Sequence, residues 1–474
     1  MKKIVVFLFV VLGIALYGYG LKNEEEKDIY VSSSIGDDSN PGTKDKPLKS
    51  ISAVPYKSNV HIYLKRGDIF FERIYNFNNS IIEAYGSGEK PILCGFRILK
   101  NTKAWIKVNG NVWKLDMSQN KNFSGFLRPS ASSNKTFHNI GMIYDIEKDK
   151  IYGNMVDSVS KLRRNGDFFV SSSYKKEKED EESFRWLYIY YDKYPSILNN
   201  ICLSVGEKGI SKVENCRISN VAVVGFGIHG ASLSSGSTLD SCDIDLIGGS
   251  LHTEPRFVRL GNGVEIWVSE NKVVHDILVE HCQITRTYDT GTTVQGTRTF
   301  GSKVKNIHFV DNRIAYCRQA FERYLNPEES DAYYDNCSFH GNYVYMSGYN
   351  QFGMGRREND VHLLSYEKKA KRIDIYDNVF FGGNLQYSSF FSDGIRKNTV
   401  YIYRGESLLS RAGKVKKMVV DEENIMKYKT MSMDESKIIV LDSNSKKDED
   451  QKIKFKEKVL LHYPILSKEY LRGK

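Results

Sequence analysis

No C-x-x-C pair occurs anywhere in the 474 residues, and the cysteines number seven. An odd count cannot pair completely, and six of the seven crowd between residues 202 and 337, which argues against a loop-stapling disulfide framework and against a zinc knuckle. No arginine-rich helix or nucleic-acid motif accompanies the formal net charge of +10, which comes from 68 Lys and Arg scattered among 58 Asp and Glu. A nucleic-acid partner is therefore not expected; the charge suits an acidic polymer or simply a lysine-rich composition. No loop carries the ligand order of a calcium-binding hand, so no metal or other cofactor is assigned, calcium bound by groups from separate coils being left open. After the first twenty residues no apolar run is long enough to cross a bilayer.

What is present starts with an apolar run. Lys2 and Lys3 precede Ile4 to Leu16, and Gly18-Tyr19-Gly20 is a small-x-small pattern, so residues 1–20 read as an export signal and the chain as secreted, periplasmic or held at the cell surface. An uncleaved anchor is the rival reading. Nothing suggests a lipid anchor, since no cysteine follows the run. With 41% hydrophobic and 12% aromatic residues, the remainder can bury a large core in one elongated domain or two compact ones.

The middle of the chain repeats itself. "VENCRI", "LDSCDI", "VEHCQI", "FVDNRI", "FHGNYV" and "IYDNVF" each pair a Cys or Asn with an apolar residue two places on. Cys216, Cys242, Cys282, Asn312, Asn342 and Asn378 then recur at intervals of 26, 40, 30, 30 and 36 residues, the signature of stacked coils with loops of variable length. The segments alternate with period 2 and are rich in Ile and Val, so each coil is made of strands. Coils stacked about 4.8 Å apart put equivalent residues in ladders, where Cys serves as a small hydrophobe and Asn bonds to Asn.

Here the sequence resembles the right-handed parallel β-helix proteins of the pectate-lyase superfamily. "DIYVSSSIGDDSNPGTKDKPLKSI" (28–51) is similar to the segment that opens many secreted members, "IYLKRGDIFFE" (62–72) and "IIEAYGSGEKPIL" (81–93) to their first coils, and "FFVSS" with "LYIYYDKYPSIL" (187–198) to a strand pair leading into the main helix. The resemblance spans about residues 28–400. It implies an all-β, single-stranded right-handed parallel β-helix, a solenoid with an N-terminal cap, loop insertions and a small C-terminal appendage. The expected division is cap and first coils at 24–117, an insertion at 118–186, the main helix at 187–404 and the appendage at 405–474. The same scaffold serves lyases, hydrolases, epimerases, tailspikes and adhesins, so fold alone does not give activity.

A second strand follows in each coil: "FGIHG", "GVEIW", "GTTVQG", "AFERY" and "FGMGR". With Phe226, Val264, Thr292, Phe321 and Met354 inward, Gly227, Glu265, Thr293, Glu322 and Gly355 face outward. Glu265 and Glu322 then stand two coils, about 9 to 10 Å, apart, near the upper end of the roughly 6.5 to 9.5 Å carboxyl spacing of inverting glycosidases. For hydrolysis, Glu265, Asp289 and Glu322 are the candidate acid and base. For β-elimination from a uronic acid, His229 or Tyr288 is the candidate base, with Arg323 or Arg356 stabilising the developing charge. Trp267 and Tyr324 offer flat faces to sugar rings. Thr293, Gln295, Arg256, Arg259 and Arg357 complete the expected substrate-binding set. The reading is a monomeric exported enzyme that cleaves glycosidic bonds of a polysaccharide along this face, hydrolysis ahead of a uronate lyase or epimerase. The rival from another class is a non-catalytic glycan-binding or adhesive β-helix.

Overall fold

The computed structural model describes residues 27–99, 105–117, 140–170, 186–194, 201–251, 258–325, 333–348, 352, 362–365, 373–383, 385–386, 394–403, 407–410, 416–419, 437–463 and 465–466. Residues 1–20, expected to be an export signal, and Arg256, Met354, Gly355, Arg356 and Arg357 lie outside the described residues.

Three sheets of seven, eleven and ten strands run along one axis, and the chain visits them in that order on the turns from Ile210 to Phe321. One coil shows the pattern. Val264–Trp267 lies in the seven-stranded sheet, Val273–Glu280 in the eleven-stranded and Gln283–Thr287 in the ten-stranded, after which Thr290–Gly296 pairs in parallel on top of Val264–Trp267. This is the expected all-β parallel β-helix. Its interior is a continuous apolar column that includes Ile218, Val223, Ile244, Val264, Val279, Ile284 and Phe309, all 1% exposed or less.

The sharp corner between the eleven- and ten-stranded sheets explains the Cys/Asn repeat. The residue before each ladder position is left-handed: Asn220, Ser241, His281, Asp311, Gly341, Asp377 and Lys397 have φ between 52° and 68°. Asn, Asp and Gly adopt that region at least cost, hence "SN", "VD", "HG" and "YD" at these corners. The next side chain turns inward. Asn312 Nδ2 donates to Asn342 Oδ1 at 3.0 Å and to the Val279 carbonyl at 2.9 Å, Asn342 repeats this on Asn378, and Asn378 on Asn398. Cys242 and Cys282 continue this ladder below, each thiol donating to a carbonyl of the neighbouring coil. Cys216, expected in the same ladder, stands instead at the corner between the seven- and eleven-stranded sheets, level with Ser237, because its strand Arg217–Ser219 pairs with Thr238–Asp240. Val221 takes the place below Cys242. All seven cysteines are free and buried. Burial pushes the Cys282 thiol well above its ordinary range, the opposite of what a nucleophile needs.

The insertion is wider than 118–186. The coil of Ile74–Cys94 stacks directly under that of Ile210–Val224, through Ile74↔Ile210, Ile81↔Arg217 and Ile92↔Ala222. Between them the chain builds two four-stranded antiparallel sheets, and Trp186–Tyr190 pairs back onto Val112–Asp116 instead of leading into the solenoid. First coils and main helix are thus one stack. Buried Arg286 fastens the insertion to it: the guanidinium pairs with Asp245 of the same sheet and Asp149 of the insertion, and lies over the ring of Tyr144.

The C-terminal appendage hugs the same sheet. Lys437–Leu441 adds a parallel strand to Thr399–Tyr403. The helix Lys446–Val459, capped by Ser445, sets Phe455 against Tyr343, Tyr345 and Phe381. Beyond it, the His462 amide donates to Gln283 Oε1 and Tyr463 covers Arg286. Among the described residues no helix is long and apolar enough to cross a membrane.

If the Asn ladder is a cooperative spine, Asn342→Ala strands partners above and below it and lowers unfolding free energy by about 2 to 4 kcal/mol. Asn336→Gly, which removes an exposed Asn–Asn bond to Asn306 while keeping the left-handed backbone at φ 50°, changes it by less than about 0.5 kcal/mol. Urea denaturation midpoints at constant m-value check both.

Candidate active site

The seven-stranded sheet positions the site through a repeated tripeptide. Lys208-Gly209-Ile210, His229-Gly230-Ala231 and Asn262-Gly263-Val264 each open a strand. The glycines are required by close approach. A Cβ on Gly230 would meet the Gly263 carbonyl at 2.6 Å, and one on Gly263 the Gly291 carbonyl at the same distance. With that contact allowed, the polar residue ahead of each glycine is stacked coil on coil, beside the outward residue two places after it.

Register along the sheet is Ser232↔Glu265↔Thr293↔Glu322, and two residues on, Trp267↔Gln295↔Tyr324. Glu265, Thr293 and Glu322 therefore share one row as expected, and the aromatic pair lies on the next. The alignment of the outer coils is corrected. The strand below Glu265 is Ala231–Leu233, so Ser232 and not Gly227 is its neighbour, and the strand above Glu322 is Leu363–Ser365. "FGIHG" instead makes the turn from the ten-stranded sheet, with Gly225 at φ 78°.

The row faces away from the coil interior but is not open. Glu265 is 3% exposed and Glu322 8%, while Trp267 at the edge is 46% exposed. Glu265 is ringed by donors. Lys208 Nζ and Ser232 Oγ each donate to Oε2 at 2.8 Å, Gln295 Nε2 donates to Oε1 at 3.1 Å, and His229 Nε2 stands 3.1 Å from Oε1. Burial on its own drives this carboxyl up, but the opposing pull of His229 and Lys208 is larger and holds it well below its ordinary 4.5. Glu265 is a fixed anion, not a proton donor.

His229 is corrected as a base. Its Nδ1 accepts the backbone N–H of Asn262 at 3.0 Å, so its proton sits on Nε2 and is donated to Glu265. Burial depresses its pKa more than Glu265 raises it; the ring is neutral and has no lone pair left for a substrate proton. It orients Glu265.

Three other expected residues sit elsewhere. Tyr288 is 8% exposed and turned to the insertion side, under the Arg259 guanidinium at 4.3 Å and edge-on to Phe352. Arg259 is a clamp: its Nε, Nη1 and Nη2 donate to the carbonyls of Gly249, Gly153 and Gly141 at 2.7 to 2.8 Å, tying the loop before Asn262 to the insertion. Arg323 aligns with Ile266 and Val294, inward residues, and is wholly buried with Nε on Ser365 Oγ at 3.2 Å. Period 2 already sends it inward, because Glu322 goes out. Asp289 keeps its place beside the site. Its carboxylate is 20% exposed, pairs with Arg318 at 3.3 Å and is close enough to pull on His229.

Lys208, Ser232 and Asn262 were not among the expected residues. The shared polar-Gly-apolar tripeptide was the signal that would have found them. Two buried polar atoms here have no hydrogen-bond partner among the described residues, Thr293 Oγ1 and Asn262 Oδ1. On the eleven-stranded sheet, Asp240, Glu280 and His281 are the one grouping of three possible metal ligands among the described residues, and Arg217 already pairs with Asp240 at 2.6 Å.

Fold and site together define a parallel β-helix with a recessed, carboxylate-lined face. No family model and no curated protein matches the chain. Among solved structures it is similar to the native GH136 lacto-N-biosidase from Eubacterium ramulus, with 14% identity over 88% of this chain and 68% of that one and a TM-score of 0.35. It is also similar to XylC in complex with xylose, with 10% identity over 87% and 82% and a TM-score of 0.34.

The buried groups set a pH response. His229 and His362 stay neutral when folded, the latter pushed down to about 3 by burial. The unfolded chain binds their protons first, so stability is full above their ordinary 6.5 and falls as pH drops below it. Glu265 adds a second loss below its ordinary 4.5. His362→Phe should flatten the slope of unfolding free energy between about pH 4 and 6.5, whereas Glu265→Gln should flatten it below about 4.5 and, by removing the anion that raises His229, steepen it below about 6.5. Urea titrations at stepped pH read each slope.

Proposed function

We infer that the chain is a glycoside hydrolase that holds a saccharide against the seven-stranded sheet. The observation that carries this is the row Glu265–Thr293–Glu322: an ionised carboxylate held in place by four side chains, a second carboxylate two strands away, and an unpartnered hydroxyl between them. A fixed anion stabilises the positive charge that develops on a sugar ring as its glycosidic bond breaks. Glu322 and Asp289 are the groups assigned to proton transfer, one to the leaving oxygen and one from water. Trp267 and Tyr324 supply the platform for a ring. Elimination is disfavoured because His229 has no free lone pair and Tyr288 faces the insertion. Export to the cell surface or beyond follows from the N-terminal run, and kinship with the pectate-lyase superfamily and a monomeric state are part of the same reading.

A second reading draws on one fact: all four acceptor positions of Glu265 are occupied. That saturation favours a glycan-binding face without catalysis.

Release of reducing ends from polysaccharides separates them. Under the hydrolase reading Glu322→Gln lowers kcat by about 10² to 10⁴-fold with unchanged thermal unfolding. Bound saccharide with no cleavage selects the binding module. A product that absorbs near the ultraviolet edge selects elimination and ends the hydrolase reading.

A further inference from the structure

The outward face of the eleven-stranded sheet carries a second cluster, on a different sheet from the row of Glu265. His308 and Ser338 are paired in register on adjacent coils, and His340 follows two residues after Ser338 on the same side of its strand. Ser338 Oγ lies 2.7 Å from His308 Nδ1 and 2.9 Å from His340 Nδ1. One hydroxyl meets two imidazoles. It has a single proton and can donate to only one of these nitrogens, so the other ring must carry its own hydrogen and donate to Oγ. The serine has a base and a donor at once.

Burial holds both rings below their ordinary 6.5, so both are neutral at neutral pH and able to take these roles. His340 is the better base. Asp311 and Asp377 favour its protonated form, against Arg396, whereas His308 is opposed by the charge that His340 would carry. The His340 ring is also fixed, stacked on Tyr376 at 4.5 Å with 5° between the planes. Asp374, in register above Ser338, pairs with Arg396 at 3.6 Å. A nucleophile within reach of a base, and a base oriented by a third group, is the arrangement that activates serine. A metal suits the cluster less well, since among the described residues the grouping compact enough for one is Asp240, Glu280 and His281. Access limits the substrate: Ser338 is 7% exposed and flanked by both rings. A short acyl group can reach its oxygen, and a long one meets the imidazoles.

We propose that Ser338 is the nucleophile of an esterase site for short acyl esters, with His340 as its base and His308 as the donor to the oxyanion. The Oγ–H proton passes to His340 Nδ1 as Oγ bonds to the acyl carbon, and the carbonyl electron pair moves onto oxygen, where the His308 N–H stabilises it. The bond to the alcohol oxygen then breaks, and that oxygen takes the proton from His340. Water repeats the sequence on the acyl-serine: it gives a proton to His340, its oxygen bonds to the acyl carbon, and the carboxylic acid leaves as Oγ recovers the proton. This activity is independent of saccharide cleavage on the seven-stranded sheet. Either can hold without the other.

The experiment follows hydrolysis of para-nitrophenyl acetate and para-nitrophenyl octanoate by the intact chain, and maps by peptide mass spectrometry where a fluorophosphonate attaches. The expected results are turnover of the acetate with kcat/KM about tenfold or more above that of the octanoate, phosphonylation at Ser338, and a rate that falls with pH through a midpoint below 6.5 as the rings protonate. Ser338→Ala and His340→Asn should each lower kcat by about 10² to 10⁴-fold, and His308→Asn by about 10² to 10³-fold, with thermal unfolding unchanged. Asn336→Gly, at an exposed position two residues before Ser338, should leave the rate as it is. Surface histidines hydrolyse activated esters without a serine, so an undiminished rate in Ser338→Ala overturns the proposal. Attachment of the fluorophosphonate elsewhere, or nowhere, overturns it too, and that measurement on the unaltered protein decides the matter if a variant fails to fold.

Discussion

Everything in this molecule depends on parallel backbone pairing between successive coils. Such pairing holds neighbouring strands about 4.8 Å apart, and side chains of one parity must then stack on those of the coil below. The interior tolerates only what can stack there, apolar residues, thiols that donate to a neighbouring carbonyl, and asparagines that satisfy one another. An Asn ladder is a cooperative choice, because each amide completes the one beside it. At the strand openings the same spacing demands glycine, as the carbonyl contacts of Gly230 and Gly263 show.

The candidate site uses that spacing as a ruler. Glu265, Thr293 and Glu322 are distant in sequence and adjacent only because their strands are stacked in register. Coil stacking also brings Lys208 from two coils away to the same carboxylate that His229 reaches from one. Burying an anion is costly in isolation, and these donors offset that cost. The result is a charge whose position and ionisation do not change across ordinary pH, a useful reference point for a site and a poor acid.

Two arginines show how the additions to the solenoid serve it. Arg286 ties insertion and C-terminal segment to the ten-stranded sheet, and Arg259 ties the insertion to the loop that ends at Asn262. Both are fully enclosed, and their charges are spent on carboxylates, carbonyls and rings. From sequence, an arginine beside an expected groove reads as a ligand group. Arg259 and Arg323 read that way and serve structure instead.

The amino-acid order alone determined that the chain repeats, the parity of the strands carrying Glu265, Thr293 and Glu322 and the register of those three, because these follow from period 2 and from recurring corners that need a left-handed residue. It also placed Cys216, Cys242 and Cys282 in the core, though only Cys242 and Cys282 share a ladder and Cys216 lines another corner. What only the folded chain decided is which residues surround the row. The donors to Glu265 come from coils below and above, the tautomer of His229 is set by a backbone amide 33 residues away, and Tyr288 swings toward an insertion whose extent is defined by the coils it separates. Stacking order is written locally, but contacts across loops of variable length depend on where the insertion folds back, and no short-range pattern encodes that.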